Sequence, residues 1–407
     1  QNIKNMSYMF DNCKSLLNLN LKVFKINSAT DMSYMFNGCK NLSSIDIFTT
    51  FTSNKVINMT SMFNNCSSLT RLNLKHFITS NAEDMEKMFC NCSSLTYLDI
   101  SGFDTSKVTK MNSMFELCYS LSTLSITNFN TESVIDMQYM FGDCRSLKNL
   151  ELSNFKTSNV ENMDSMFFNC SSLQTLNLNN FDTSKVTNIN KMFYNCSTLS
   201  TLNLNNFNTS KITSMECLFA FCSKLTTLKV DNFDTSNVLS MNSMFYNCTM
   251  LENLNLNSFD TSRVTDMANM FYFCKRLNPL NLSSFETSQV TTIVTMFYRC
   301  ESLTCLDLNN FTTSKVTSMN SMFNGCYNLQ NLYLSTFNTK EVTDMAYMFY
   351  SCKKLTSLYI NNFDTAKVTT MNHMFSDCNI ITSLDLSSFV TSRVTTMQNM
   401  FFNCLEL

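Results

Sequence analysis

The sequence predicts an α/β solenoid, and three observations predict it. A Met-Phe pair returns at Phe10, Phe36, Phe63 and onward to Phe401, sixteen times in all with Leu218 replacing Met once, at intervals of 26 residues broken only by 27 between Phe36 and Phe63. Repeat periods of about 20 to 50 residues mark stacked units, none of which can bury its apolar face without a neighbour. Inside each unit the hydrophobic period switches once, from helix-like steps to alternation. No stretch between units is rich enough in Pro, Gly or Ser to act as a linker, so residues 1–407 read as one continuous right-handed coil of about sixteen repeats. Both ends fall in mid-repeat, which reads as a piece of a longer array.

One unit, residues 103–128, carries the detail. Val108, Met111, Met114, Phe115 and Cys118 step by three, three, one and three, which fits a short amphipathic helix. From Leu121 the pattern Leu-x-x-Leu-x-Ile alternates, which suits a strand with Leu124 and Ile126 inward. Every unit runs the same way, so the strands are expected to form a parallel sheet on one face and the short helices to line the other. The wider helical side would make the strand side concave. Between Phe and Val, Asp104 to Lys107 is turn chemistry, with side-chain oxygens near backbone donors. Glycine (4) and proline (1) are scarce, so Asn, Asp and Ser must serve the turns. Pro279 falls in a strand and predicts a local defect there. The extra residue at Phe48-Thr49-Thr50 reads as a surface bulge.

Composition narrows the function. The chain is 44% hydrophobic and only 15% charged, enough for a large core with a surface leaning on Asn, Ser and Thr. A formal charge of -2 without a sustained basic run offers no footprint for nucleic acid or an anionic membrane. No apolar run approaches the roughly 18 residues of a spanning helix, so no membrane insertion is expected within this segment.

The combination seen at Leu173, Leu176, Leu178, Phe181, Val186, Met192, Phe193 and Cys196 resembles the BspA-like leucine-rich repeats, also described as the mycoplasma lipoprotein-type repeat. The resemblance covers essentially the whole chain. It implies a leucine-rich-repeat-like coil and a secreted or cell-surface scaffold that binds a protein or glycan partner, some members serving in attachment. Two functions from different classes follow: a non-enzymatic extracellular or cell-surface scaffold for binding and adhesion, or a structural subunit of an extracellular filament built by head-to-tail stacking of coils.

No catalytic, cofactor-binding or metal-binding residue is expected. Sixteen of the 19 cysteines form one column from Cys13 to Cys404, while Cys90, Cys217 and Cys305 fall elsewhere in the unit. Stacked cysteines could bond in pairs, but identical environments favour buried free thiols. The 30 methionines recur beside Phe as core filling, and His76 and His373 are too far apart for a zinc site. His373 reads as a solvated surface residue. The Thr column from Thr105 to Thr391 reads as turn-stabilising rather than as an ice-like face. The outward strand positions are the expected interaction surface, with Asp307, Asp385 and a tyrosine patch of Tyr327, Tyr333 and Tyr359. Eleven sequons are candidate N-glycosylation sites: Asn5, Asn41, Asn58, Asn65, Asn91, Asn169, Asn195, Asn208, Asn247, Asn281 and Asn310.

Overall fold

A computed structural model describes residues 3–22, 27–46 and 54–407. The chain forms two compact units, Gln1–Phe207 and Asn208–Leu407, and each is a solenoid of parallel coils. The bulge expected at 48–50 lies outside the described residues.

Among the described residues the strand side holds eight strands of three residues. In the first unit these are β1 (Asn18–Asn20), β2 (Ser44–Asp46), β3 (Arg71–Asn73), β4 (Tyr97–Asp99) and β5 (Thr201–Asn203). In the second they are β6 (Thr227–Lys229), β7 (Cys305–Asp307) and β8 (Asn331–Tyr333). The pairs β1–β2, β3–β4 and β7–β8 are parallel and in register, with Leu19 opposite Ile45, Leu72 opposite Leu98 and Leu306 opposite Leu332. At other turns of each unit this ladder thins to single bridges, such as Asn149 to Thr175 and Leu254 to Leu280. The second bridge adjoins Pro279, which has no N–H to give a ladder. Among the described residues the solenoid therefore amounts to about 12 turns with parallel pairing, not the sixteen expected.

The opposite side corrects the sequence reading: no helix forms among the described residues. In coil 111–121, the N–H groups of Met111, Ser113, Phe115 and Leu117 donate to Asp136, Gln138, Met140 and Gly142 of the next coil at 3.2, 2.7, 3.0 and 2.8 Å. The intervening Met114, Glu116 and Cys118 donate three residues back, to Met111, Ser113 and Phe115. An α-helix would need each of these donors for the carbonyl four residues earlier. Two residues per coil also sit at positive φ, Ser113 at 56° and Leu117 at 61°, which a right-handed helix excludes. The result is a ribbon of consecutive turns with its own parallel ladder, running from Asn5 through Asp31, Asn58, Asp84, Lys110, Asp136 and Asn162 to Asn188 in the first unit. The premise of a wider helical side does not hold.

The core is laid down in columns. Each Phe of the Met-Phe pair from Phe36 to Phe375 is fully buried, as is the Met or Leu before it. Their rings stack coil on coil, Phe89 to Phe115 at 5.7 Å and Phe115 to Phe141 at 5.8 Å, within 11° of parallel. A second column, including Phe155 on Phe181 at 6.4 Å, backs the turn that follows the strand.

Many polar groups inside the stack are matched, the buried hydroxyls of Ser165 and Ser376 being exceptions. Thr105 is fully buried, donating its hydroxyl to Asn130 O at 2.8 Å and accepting the Asn130 N–H at 2.8 Å. Thr131 and Thr157 repeat the arrangement on Lys156 and Asp182. The Thr column thus staples coil to coil from inside, and its burial removes the ice-like alternative. Asn128 Nδ2 reaches back to Ile100 O and Phe103 O, and Asn154 does the same to Ile126 O and Phe129 O.

Candidate interaction surfaces

The cysteines carry free thiols, and those from Cys39 to Cys378 in the column are buried. Cys118 Sγ donates to Phe89 O and Cys144 Sγ to Phe115 O, both at 3.2 Å. Burial is the main cause that pushes these thiols up, to about 12 for Cys274 and Cys326. A thiolate is the reactive form, so the column is inert packing. Cys13 and Cys305 are the exposed ones, the latter on β7. No group of three or more metal-ligating side chains gathers among the described residues.

On the strand side, Asp307 and Tyr333 are direct register partners across β7 and β8. Tyr333 is 44% exposed and Tyr359, at the equivalent position one turn on, is 73% exposed. Asp385 follows at the next turn, exposed, with its carboxylate accepting the Ser387 N–H at 3.0 Å. That bonding to Ser387 holds its carboxyl below the usual range. Tyr327 does not share this setting. It is half-buried, with Arg299 and Lys353 over its ring at 5.6 and 5.2 Å, so the expected tyrosine patch divides between two groups of partners.

Where the strand ladder lapses, the surface is furrowed. In the first unit no pairing forms at Thr123–Ser125, and a groove of about 430 Å³ opens there, with Leu98 and Leu124 in its lining and Tyr97, Asp99, Asn149 and Glu151 around them. In the second unit a groove of about 520 Å³ adjoins Pro279, lined by Lys229, Asp231, Asn255 and Asn281. The second lies at the local defect that Pro279 predicts; sequence reasoning missed the first, because a missing bridge leaves no mark in the repeat pattern.

The sequons separate by geometry. Asn5, Asn41, Asn208, Asn281 and Asn310 are exposed, and Asn58 is half-buried. Asn65, Asn91, Asn169, Asn195 and Asn247 all sit at positive φ and are half-buried. Asn91 Nδ2 donates to Asn65 Oδ1 at 2.7 Å, Asn169 Nδ2 to Asp143 Oδ1 at 3.0 Å, and Asn195 Nδ2 to Asn169 Oδ1 at 2.8 Å. In these three the nitrogen that would carry a glycan is spent on an inter-coil ladder, and Asn310, although exposed, likewise gives its Nδ2 to Leu282 O and Phe285 O at 2.9 and 2.7 Å. His373 is likewise not a solvated residue: it is half-buried, stacked on Tyr347 at 4.8 Å.

Coils joined by parallel ladders, with a Leu-x-x-Leu-x-Leu strand side, define a leucine-rich-repeat-like β-solenoid. The chain belongs to the family described as Mycoplasma protein of unknown function, DUF285, whose model matches residues 1–97, 85–201, 118–227, 167–255, 218–332 and 328–407. No curated protein matches the sequence. Among solved structures it is similar to a leucine-rich repeat protein from Bacteroides ovatus, at 18% identity over 87% of this chain and 81% of that one, with a TM-score of 0.40. A leucine rich cell surface protein from Faecalibacterium prausnitzii matches at 16% identity over 82% of this chain and 83% of that one, TM-score 0.42. A leucine-rich repeat protein from Eubacterium ventriosum matches at 13% over 98% and 85%, TM-score 0.37. Among the described residues no helix is long and apolar enough to cross a membrane.

Proposed function

We propose that this chain is a non-enzymatic scaffold held at the cell surface or secreted, whose strand side binds a protein or glycan partner in adhesion. The observation that carries the reading is the contrast between fixed and free positions on that side. Leu306 and Leu332 are buried in the ladder, while the residues beside them, Asp307 and Tyr333, are exposed and vary from coil to coil. A rigid frame with a variable outer row is what a recognition surface needs, and exposed tyrosine supplies contact area at low entropic cost. The 26-residue register also passes residue 207 without insertion, which supports one continuous array.

The test is binding of the purified chain to immobilised extracellular-matrix proteins, comparing the parent with a Tyr333→Ser, Tyr359→Ser double variant. Loss of about tenfold or more in affinity supports the reading; equal binding by the variant, or none by either, overturns it. Labelling by a membrane-impermeant reagent on intact cells tests the location. A filament is the second reading, favoured by the direction of the turn-side ladder: N–H groups of each coil face carbonyls of the next, so coil edges are complementary head to tail. Electron microscopy of purified protein decides it by the presence or absence of long polymers.

A further inference from the structure

The turn side of the second unit carries a cluster that the strand-side reading does not use. Tyr246, Tyr272 and Tyr298 stack at 4.4 and 4.5 Å with ring planes 4° and 6° apart. Beside them Phe273 packs on Tyr298 at 5.6 Å, Lys275 lies over Phe273 at 5.3 Å, and Arg299 lies between Phe273 and Tyr327 at 5.5 and 5.6 Å. Lys353 covers Tyr327 from the other side at 5.2 Å.

Two features set this cluster apart from ordinary surface. Phe273 and Arg299 occupy the position before the column cysteine, at φ 59° and 54°. Asn holds that position at Asn65, Asn91, Asn169, Asn195 and Asn247, while Leu117 and Asp143 hold it in other coils. Asn tolerates the left-handed region better than a bulky Phe does, so Phe273 is held in a backbone conformation its side chain disfavours. The next coil also makes room: a Cβ on Gly325 would lie 2.8 Å from Arg299 Cγ, so the glycine seats the arginine stem.

The cluster is net positive. Both faces of the Tyr272 ring are covered, which leaves edges and hydroxyls, and ring edges carry the positive end of the aromatic quadrupole. Burial raises the Tyr272 hydroxyl to about 12, with Tyr246 and Tyr298 adding to it, so it stays a donor at neutral pH. Lys275, Arg299 and Lys353 add three cations against the single carboxylate of Glu301, which pairs with Lys275 at 3.2 Å and Arg299 at 3.6 Å. Covered ring faces do not suit stacking against a neutral sugar. Three cations on a chain of net charge -2 do not suit a long polyphosphate. We propose that this face, centred on Phe273, Tyr298, Arg299, Tyr327, Lys275 and Lys353, binds a carboxylate-rich segment of a partner protein. The proposal is independent of the strand-side surface.

The experiment is fluorescence anisotropy of a labelled glutamate-rich peptide with the whole chain at physiological salt, beside a labelled oligo-dT of equal length. Arg299→Asn and Phe273→Asn install the residue that this position carries at Asn65, Asn91, Asn169, Asn195 and Asn247, so both variants should fold. Peptide binding that drops about tenfold or more in Arg299→Asn with Lys353→Gln, and that also weakens in Phe273→Asn, supports the proposal. No peptide binding by the parent, undiminished binding by the folded variants, or tighter binding of oligo-dT overturns it.

Discussion

The two sides of a coil are held by different means. On the turn side, four N–H groups donate to the neighbouring coil in nearly every described turn, as Met59, Ser61, Phe63 and Asn65 do to Asp84, Glu86, Met88 and Cys90. On the strand side pairing is complete in β1–β2, β3–β4 and β7–β8 and lapses to one bridge or none at Thr123–Ser125 and Tyr359. Cohesion therefore rests mainly on turns that sequence periodicity reads as helix. The side that reads as sheet is left free to vary.

The sharpest way to break that contrast is to empty the turn-side core. Phe115→Ala removes a fully buried ring stacked on both neighbours and should cost about 3–5 kcal/mol in denaturant unfolding. A loss below about 1 kcal/mol would mean the ring column does not hold the stack. Thr105→Val keeps the shape but strips the hydroxyl from Asn130 O and N, leaving both backbone groups unpaired. A loss of about 1–3 kcal/mol is expected by the same measurement.

Alkaline pH tests the thiol column. The folded-state values are raised by burial, Cys274 to about 12, above the roughly 8.5 of an unfolded cysteine. Unfolded chains then release protons that folded ones keep, so this contribution is full below about pH 8.5 and is lost as pH climbs toward 12. The melting temperature should fall across that window, and a variant with Cys274→Ala and Cys300→Ala should show a shallower fall. At neutral pH, native alkylation read by mass spectrometry should modify Cys13 and Cys305 and spare Cys118 and Cys144. The smallest effect belongs to the strand side, where Tyr359→Ser should change stability by less than about 0.5 kcal/mol. A larger loss would show that side to be structural after all.

Much of the interior was legible in the sequence. The Phe, Met and Cys columns fall where the register puts them, because strict spacing can arise only from equivalent neighbours. The helix was not. Val108, Met111, Met114, Phe115 and Cys118 have helical spacing, and burial of one face looks the same whether donors point along a helix or across to the next coil. A contrary signal was present in the Asn before the column cysteine, at Asn65, Asn91, Asn169 and Asn195, since Asn is enriched where φ is positive. The strand-side candidates fared unevenly. Asp307 and Tyr333 meet because they share a register position, whereas Tyr327 was grouped with Tyr333 by number alone and belongs with Arg299 and Lys353.

The direction of the turn-side ladder has a mechanical corollary. Within a unit, a coil peeled from the edge gives up its bonds to one neighbour and leaves the rest of the pile intact. Stretched in an optical trap, each unit should unravel in near-equal steps at a nearly constant force, in the manner of a thread drawn from a spool.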